Sequence, residues 1–181
     1  MDKPMSNWHF RFMSLGYKFR DFFLPRRTVL QEVGLEPGFH VLDYGCGTGS
    51  YIAPTVELVG VSGQVYALDI HPMAIRRVQK LVSKRRLGNV ETISSDCNTG
   101  LPDDSVDVAL LYDIFHELGE PDAVLEELYR VLKPHGILSF SDHHLKEIDL
   151  VSKVTASGLF GLLRKGKKTH TFSKPGPDEP E

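Results

Sequence analysis

A glycine-rich turn preceded by an acid is the part of this sequence that points most directly to chemistry. Residues 41–50 read Val-Leu-Asp-Tyr-Gly-Cys-Gly-Thr-Gly-Ser, a buried strand that runs into a turn and then a helix. Because Gly45, Gly47 and Gly49 lack a Cβ atom, the backbone can turn sharply there and approach a ligand closely. The unpaired N–H groups at the following helix start favour an anionic or polar group. The turn therefore predicts a nucleotide-like ligand.

The spacing of the glycines distinguishes between two kinds of nucleotide site. A dinucleotide fingerprint is G-x-G-x-x-G/A, usually with an acid about twenty residues later. Here the glycines alternate, Ser50 occupies the place of the third small residue, and Asp43 precedes the first glycine. The pattern disfavours a nicotinamide oxidoreductase, a hypothesis that failure to bind NAD(H) would remove.

Length and composition favour one ordinary globular domain. The chain has 181 residues and a net charge of −3, which is not the basic footprint of a dedicated nucleic-acid binder. No segment approaches the roughly 20 apolar residues needed to span a bilayer, and residues 1–4 lack the apolar run of a signal peptide. Cys46 and Cys97 form no C-x-x-C pair, which predicts a reducing cytoplasm and no cysteine-based metal site.

The first 24 residues carry an aromatic face with helical spacing, formed by Trp8, Phe12, Leu15, Phe19 and Phe22. Three interpretations of this face remain open at this point. The helix packs against the sheet, closes as a lid over a substrate pocket, or makes a shallow contact with a membrane.

Strand and helix patterns alternate five times after residue 35, which predicts a doubly wound parallel sheet with right-handed crossovers. Two short strands joined by the turn at residues 165–168 predict a terminal hairpin with one antiparallel strand. In such sheets ligands bind beyond the carboxyl ends of the strands. Five predicted strands end there in an acid: Asp43, Asp69, Asp96, Asp113 and Asp142.

Four stretches together resemble the class I S-adenosylmethionine (SAM) dependent methyltransferases. They are residues 41–49 with the pattern D-x-G-x-G-x-G, residues 65–69, residues 96–102 and residues 127–138, in the family's order and spacing. The resemblance is strongest to the small methyltransferase branch that includes the ubiquinone/menaquinone enzymes. It implies a Rossmann-like, doubly wound α/β sheet of seven strands in the order 3-2-1-4-5-7-6 with strand 7 antiparallel, and SAM as cofactor.

The sequence as a whole predicts a division of the chain into three parts. Residues 1–34 are expected to form a helical N-terminal segment that acts as a cap or lid. Residues 35–174 are expected to form the methyltransferase domain, and residues 175–181 a disordered tail.

Cofactor-binding roles follow position by position from the resemblance. The residues are Asp43, Gly45, Cys46, Gly47, Asp69, Ile70, Asp96, Cys97 and Tyr112. The glycine turn would pass along the methionine part of SAM, Asp69 would accept both ribose hydroxyls, and the Tyr112 carbonyl would accept from the amino group. Ile70, Asp96 and Cys97 would surround the adenine. The alternatives are structural: Asp43 as a buried structural acid, Asp69 as a helix cap and Asp96 as a turn acid.

The acceptor side follows from the chemistry of methyl transfer. The enzyme aligns a nucleophile with the methyl group, and a hydroxyl or carbon acid also needs a general base. We predict His116 and Asp113 as catalytic residues and His116, Asp142 and His143 as substrate contacts; Glu117 and His144 are further candidates. A packed histidine is the alternative for His116. Adjacent histidines on an extended stretch point to opposite faces, so at most one would face the pocket and no metal is predicted.

The sequence therefore favours a cytoplasmic SAM-dependent methyltransferase with a small-molecule acceptor, no nucleic acid and no stable membrane insertion; it leaves a homodimer open. The alternative is a SAM-binding regulatory or partner subunit without transfer activity of its own. The short chain, with no inserted substrate domain, motivates that alternative.

Overall fold

The computed structural model describes residues 26–175, so the predicted aromatic N-terminal face and residues 176–181 of the predicted tail lie outside it. The described elements alternate along the chain. They are helix α1 (Arg26–Val33), strand β1 (His40–Tyr44), α2 (Ile52–Val59), β2 (Gln64–Asp69), α3 (Pro72–Arg85), β3 (Val90–Ser94), β4 (Val106–Tyr112), a 3-10 turn (Phe115–Glu117), α4 (Pro121–Val131), β5 (Leu132–Ser141), α5 (Glu147–Thr155), β6 (Gly161–Lys165) and β7 (His170–Ser173).

The strands form one seven-stranded sheet in the order β3-β2-β1-β4-β5-β7-β6. Strands β1 to β5 pair in parallel, and β7 is antiparallel to both β5 and β6. The predicted fold class and strand order are confirmed. The order reverses between β1 and β4, and the carboxyl ends of these two strands are where such a sheet opens to a ligand.

Helices cover both faces of the sheet, which makes three layers. The apolar faces of α1, α2 and α3 pack on one side, and those of α4 and α5 on the other. The side chains of β4 alternate between the two cores: Ala109 and Leu111 join one, and Val108 and Leu110 the other. A central strand buried on both faces needs a nearly continuous apolar sequence, and β4 has one. The longest described helix, α3, has 14 residues, and none in residues 26–175 is long and apolar enough to cross a membrane.

The start of β5 differs from the sequence-based expectation. The Lys-Pro-His-Gly sequence of residues 133–136 is typical of a break between a helix and a strand, but β5 begins at Leu132, directly after α4. Leu132 pairs with Val106, and pairing resumes only at Ile137 with Val108, so the stretch between is an irregularity within the strand. His135 has a φ of 62°, and its N–H donates to the Lys174 carbonyl (3.1 Å). Lys174, the residue after β7, thus holds this irregular part of β5 against the sheet.

Gly63 provides a test of the packing between α2 and β2. A Cβ atom there would lie 2.6 Å from both the Phe39 carbonyl oxygen and the Val59 Cβ. Because backbone would have to move, we expect Gly63→Ala to lower the free energy of unfolding by about 1–3 kcal/mol, measured by urea titration. Gly88→Ala is the control, since nothing lies within 4 Å of its Cβ position. Equal losses in the two variants would contradict this account.

Candidate active site

The glycine turn after β1 is fastened to the end of β2. The N–H groups of Gly45 and Cys46 both donate to the Leu68 carbonyl at 2.9 Å, and the Gly47 N–H donates to Asp69 Oδ2 at 2.8 Å. The three predicted glycines have φ values of 75°, 51° and 76°. These left-handed values favour glycine, so the turn requires the residue types that the sequence supplies.

Asp69 is buried at the end of β2, and each of its two carboxylate oxygens accepts a backbone hydrogen bond. Oδ1 accepts from the His71 N–H at 2.7 Å, and Oδ2 accepts from Gly47. Burial raises the pKa of the Asp69 carboxyl, against these two backbone hydrogen bonds. The cap of α3 is the His71 side chain, whose Nδ1 accepts from the Met73 N–H at 3.1 Å. Each Asp69 oxygen therefore keeps a further lone pair for a hydroxyl donor.

Asp43 is a buried carboxylate at the end of β1, 4 % exposed. Its Oδ2 has no hydrogen-bond partner among residues 26–175. Burial first, and the charge of Asp69 second, raise the pKa of Asp43 to about 7, while the charge of Arg26 lowers it. A buried acceptor without a donor is costly. The site is therefore incomplete at Asp43 in a way that a bound cation or N–H donor would remedy.

The residues predicted around adenine lie at the next strand ends. Ile70 follows β2, and Asp96 and Cys97 follow β3; all three are half-buried. The Tyr44 hydroxyl donates to the Asp96 carbonyl oxygen at 2.8 Å. This hydrogen bond joins the loop after β3 to the end of β1.

Tyr112 closes the same region from β4. Its side chain is buried, with its hydroxyl 2.7 Å from Ser139 Oγ, and burial raises the pKa of Tyr112. Its ring centroid lies 4.9 Å from that of Tyr51, and the Tyr51 hydroxyl accepts from Arg26 Nη1 at 2.8 Å.

The sequence-based predictions missed Arg26 and Tyr51. A signal for Arg26 is present, since it precedes Val29, Leu30 and Val33 at i, i+3, i+4 and i+7, the buried face of α1. Tyr51 carried no comparable signal.

On the acceptor side the structure forms two Asp–His pairs. His116 Nδ1 lies 2.8 Å from Asp142 Oδ2, and His143 Nδ1 lies 2.7 Å from Asp113 Oδ1. Asp142 also accepts from the backbone N–H groups of His116 (3.1 Å) and His144 (3.0 Å). The Asp142 side chain is 0 % exposed and that of His116 is 22 % exposed. The carboxylate is thus the buried support and the imidazole is the group that reaches the surface.

The premise of the expectation that at most one of the adjacent histidines faces the pocket does not hold. Residues 142–144 lie in a turn beyond β5 and not on an extended stretch, so the alternation of a strand does not apply. The His143 and His144 ring centroids lie 4.0 Å apart, and the His116 and His144 centroids are also 4.0 Å apart. The turn places His143 and His144 next to His116, so three imidazole rings lie beside one another.

One group of described residues has the composition of a metal site. Ligand atoms of Asp113, Asp142 and His143 all lie within 4.8 Å of one another. However, three N–H groups, the backbone and ring N–H of His116 and the backbone N–H of His144, already approach the two Asp142 oxygens, and Asp113 already accepts from His143. These hydrogen bonds account for the group without an ion, so we retain the prediction of no metal.

Hydrogen bonding sets the chemistry of His116. A carboxylate only accepts hydrogen bonds, so Nδ1 carries the proton that faces Asp142. In the neutral tautomer of the ring Nε2 is the acceptor; it lies 3.6 Å from Glu117 Oε1. An imidazole held in this way is suited to take a proton from a bound molecule.

Comparisons with known proteins agree with this geometry. The model of the family described as "Methyltransferase domain" matches residues 35–172, and the chain belongs to that family. The fold and site thus define the class of SAM-dependent methyltransferases, as the sequence resemblance predicted. The solved structure of a SAM-dependent methyltransferase from Aquifex aeolicus is similar, with a TM-score of 0.79, 28% identity, and coverage of 94% of this chain and 98% of that one.

Curated relatives resemble the chain over part of their length. A demethylmenaquinone methyltransferase of Geobacillus sp. (strain WCH70) is 30% identical over 129 residues, covering 71% of this chain and 55% of its own. A ubiquinone/menaquinone biosynthesis C-methyltransferase of Pseudoalteromonas translucida is 30% identical over 140 residues, covering 76% and 56%. The chain thus spans little more than half the length of these relatives.

The raised pKa of Asp43 predicts how stability depends on pH. Between its ordinary value of 3.8 and about 7, the folded protein holds a proton that the unfolded chain has lost. The free energy of unfolding should therefore fall as pH rises through this interval. We expect Asp43→Asn to gain on the order of 1–4 kcal/mol at pH 8 and little at pH 4.

Urea titrations of ligand-free protein at both pH values measure this effect. Asp122→Asn, an exposed acid at the start of α4, is the matched control and should change stability by less than about 0.5 kcal/mol. A loss of stability at pH 8 in Asp43→Asn would show that the ionised carboxylate is satisfied in the ligand-free fold.

Proposed function

We propose that this protein transfers the methyl group of SAM to a small-molecule acceptor that loses a proton in the reaction. The observation that carries the proposal is the buried Asp43 oxygen, unpartnered within residues 26–175, at the end of the strand that leads into the glycine turn. A cationic amino group supplies the donor that this oxygen lacks. The neighbouring Asp69 supplies acceptors for the ribose hydroxyls, and the glycine turn leaves room for the narrow amino-acid chain.

Each cofactor role combines a residue type with its observed place. Asp43 accepts from the amino group of the methionine part, directly or through water, and the Tyr112 carbonyl accepts from the same group. The backbone of Gly45, Cys46 and Gly47 leaves room for the methionine chain. Cys46 serves through its backbone, because its thiol is buried and burial raises its pKa well above the ordinary value.

Asp69 accepts from the two ribose hydroxyls, since its oxygens each keep a free lone pair. Ile70 packs on the adenine, Asp96 accepts a hydrogen bond from the adenine amino group, and the Cys97 N–H lies near the ring. The Tyr44–Asp96 hydrogen bond keeps this loop at the required distance from β1.

When bound, SAM would supply an electrophilic sulfonium methyl group for transfer to the acceptor atom, with S-adenosylhomocysteine as the leaving product. His116 Nε2 takes the proton that the acceptor atom loses. Asp142 holds the ring orientation and stabilises the imidazolium that forms, so we assign Asp142 a positioning role instead of a direct contact with the acceptor.

Asp113 and His143 form the second pair and lie at the mouth of the same region. The His143 side chain is 56 % exposed and that of Asp113 is 15 % exposed. His143 therefore contacts the acceptor, and Asp113 orients the His143 ring. Asp113 has a φ of 54° and its N–H donates to the Ser141 carbonyl at 2.8 Å. These features fix the loop after β4 against the end of β5.

The printed names of the relatives suggest the first acceptors to try. They describe methylation of demethylmenaquinone and C-methylation in ubiquinone/menaquinone biosynthesis. A ring carbon or hydroxyl of a quinol loses a proton on methylation, which agrees with a supported imidazole. An acceptor panel should therefore contain demethylated quinols, simple phenols, amines and thiols, with methyl transfer followed from radiolabelled SAM.

Asp69 tests the cofactor site. Because two hydrogen bonds to a charged group are lost, we expect Asp69→Ala to weaken SAM and S-adenosylhomocysteine binding by about 100-fold or more in calorimetric titration. Asp69→Asn retains an acceptor and should lose less. Glu91→Ala, an exposed acid on the adjacent strand, should bind as the wild type does. Failure of the wild-type protein to bind either ligand would overturn the proposal.

His116 tests transfer separately from binding. We expect His116→Gln to lower kcat about 10²–10⁴-fold with an active acceptor and to leave the affinity for S-adenosylhomocysteine unchanged. His40→Gln, at the opposite end of β1, should alter neither. Full activity in His116→Gln would remove the base role. Tight SAM binding with no turnover on any acceptor would favour the SAM-binding partner subunit.

A further inference from the structure

Helix α3 and its end carry a concentration of positive charge that the proposed reaction does not use. Between Asp69 and Glu91 the sequence contains arginines and lysines but no acid. The basic residues of this stretch are Arg76, Arg77, Lys80, Lys84, Arg85 and Arg86. Because the whole chain has a net charge of −3, this positive charge is a local feature of one helix.

Three of these cations form a row along the outer side of α3. Arg76, Lys80 and Lys84 are exposed and follow one another at i, i+4 and i+8, so their side chains lie one helical turn apart. Within residues 26–175 none of the three side chains has an ion pair or a hydrogen bond. A shallow hollow of about 410 Å³ at this row is lined by Arg76, Gln79, Lys80, Ser83 and Lys84. We call Arg76, Lys80 and Lys84 the cation row.

Acids on the neighbouring elements do not neutralise the cation row. Glu57, on the preceding helix α2, has its Oε2 atom 2.9 Å from Arg27 Nη1 of α1. On the adjacent strand β3, Thr92 Oγ1 accepts from Gln79 Nε2 of α3 at 3.2 Å. Since successive side chains of a strand point to opposite faces, Glu91 lies on the other face of the sheet. The row therefore faces solvent as an unbalanced positive surface.

The stability of α3 gives no reason for the cation row. Like charges at i and i+4 destabilise a helix. The helix dipole favours cations in the last turn, which accounts for Lys84 and Arg85 but not for Arg76 or Lys80. The apolar side of α3 is already buried against the sheet, so the row adds nothing to the core. An anionic partner outside the chain would explain why the row is present.

The composition of this surface decides between kinds of anionic partner. A protein interface has an apolar centre, but the apolar side chains of α3 are in the core. A nucleic-acid-binding domain is basic as a whole, whereas this chain is acidic overall. A membrane surface presents phosphate groups in a plane and requires only exposed cations. Clusters of about four to eight lysines and arginines on a helix are typical of proteins that bind anionic lipids.

We propose that the cation row of α3 binds the anionic headgroups of a membrane surface. Because the apolar side of α3 remains in the core, the contact is electrostatic and the helix does not insert. Helix α3 begins just after β2, whose last residue is Asp69, so its first turn lies next to the proposed cofactor site. The inference does not depend on the proposed function, since headgroup binding requires neither SAM nor an acceptor.

Co-sedimentation of the full chain with lipid vesicles tests this inference. We expect binding to vesicles of phosphatidylglycerol and phosphatidylcholine in equal amounts, and no binding to phosphatidylcholine alone. The triple variant Arg76→Gln, Lys80→Gln, Lys84→Gln should bind the anionic vesicles about 100-fold more weakly, because each cation near the surface contributes to the attraction. Raising the salt to about 0.5 M NaCl should release the wild-type protein, because salt screens the contact.

The triple variant Lys146→Gln, Lys153→Gln, Lys167→Gln is the matched control. It removes the same charge from exposed positions outside α3 and should bind as the wild type does. Thermal denaturation of both triple variants checks that each is folded.

Four results would overturn the inference. The first is unchanged binding in the variant of the cation row. The second is equal weakening in both triple variants, which would show that total charge and not the row governs binding. The third is equal binding of the wild type to neutral vesicles, which would assign the contact to apolar residues. The fourth is tighter binding to duplex DNA than to anionic vesicles, which would assign a nucleic-acid partner to the row.

Discussion

The attachment of the glycine turn to the end of β2 is the constraint on which the rest of the site depends. Three consecutive N–H groups, of Gly45, Cys46 and Gly47, are all used by the last two residues of β2. Because β1 and β2 pair in parallel and in register, their carboxyl ends lie side by side. The glycine turn is therefore confined to a position beside the end of β2. Asp69 is fixed at the same time, since the oxygen that accepts from Gly47 belongs to the residue proposed to hold the ribose.

The same turn also links the two halves of the site. A Cβ atom on Gly49 would lie 3.0 Å from Val78 of α3, and one on Gly45 would lie 3.0 Å from Ile114. Ile114 stands between Asp113 and His116, in the loop that carries the acceptor residues. Close packing therefore sets the distance from the cofactor side to the proposed base, and a larger residue at Gly45 would disturb both together.

The sequence predicted what is local in sequence and missed what arises across the sheet. The glycine turn and the acid at each strand end could be predicted because each depends on a short sequence pattern, whereas the strand order followed from the resemblance to a known family. The pairing of His116 with Asp142, and of Asp113 with His143, could not be. Each pair joins the loop after β4 to the turn after β5, and its partners meet only because β4 and β5 are adjacent and in register up to Tyr112 and Ser141.

Two further differences have the same physical origin. The histidine turn and the irregular start of β5 are conformations that tertiary contacts select, such as the hydrogen bond from His135 to Lys174. These conformations cannot be predicted from residue type alone. Arg26 is the intermediate case, since helical spacing places it on a buried face, but only the structure shows its hydrogen bond to Tyr51, two residues after Gly49.

The charges of the site couple ligand binding to stability. Burial first, and the charge of Asp69 second, disfavour ionisation of Asp43 and raise its pKa to about 7, so the ionised carboxylate is unfavourable in the ligand-free fold. In the proposed complex, the positive sulfonium and ammonium groups of SAM would lower this cost. The binding energy is then partly the relief of a cost already present in the folded chain, and ligand binding should raise stability by mass action as well. On this argument the ionised Asp43 weakens the ligand-free fold, and the proposed cationic ligand would explain its presence there.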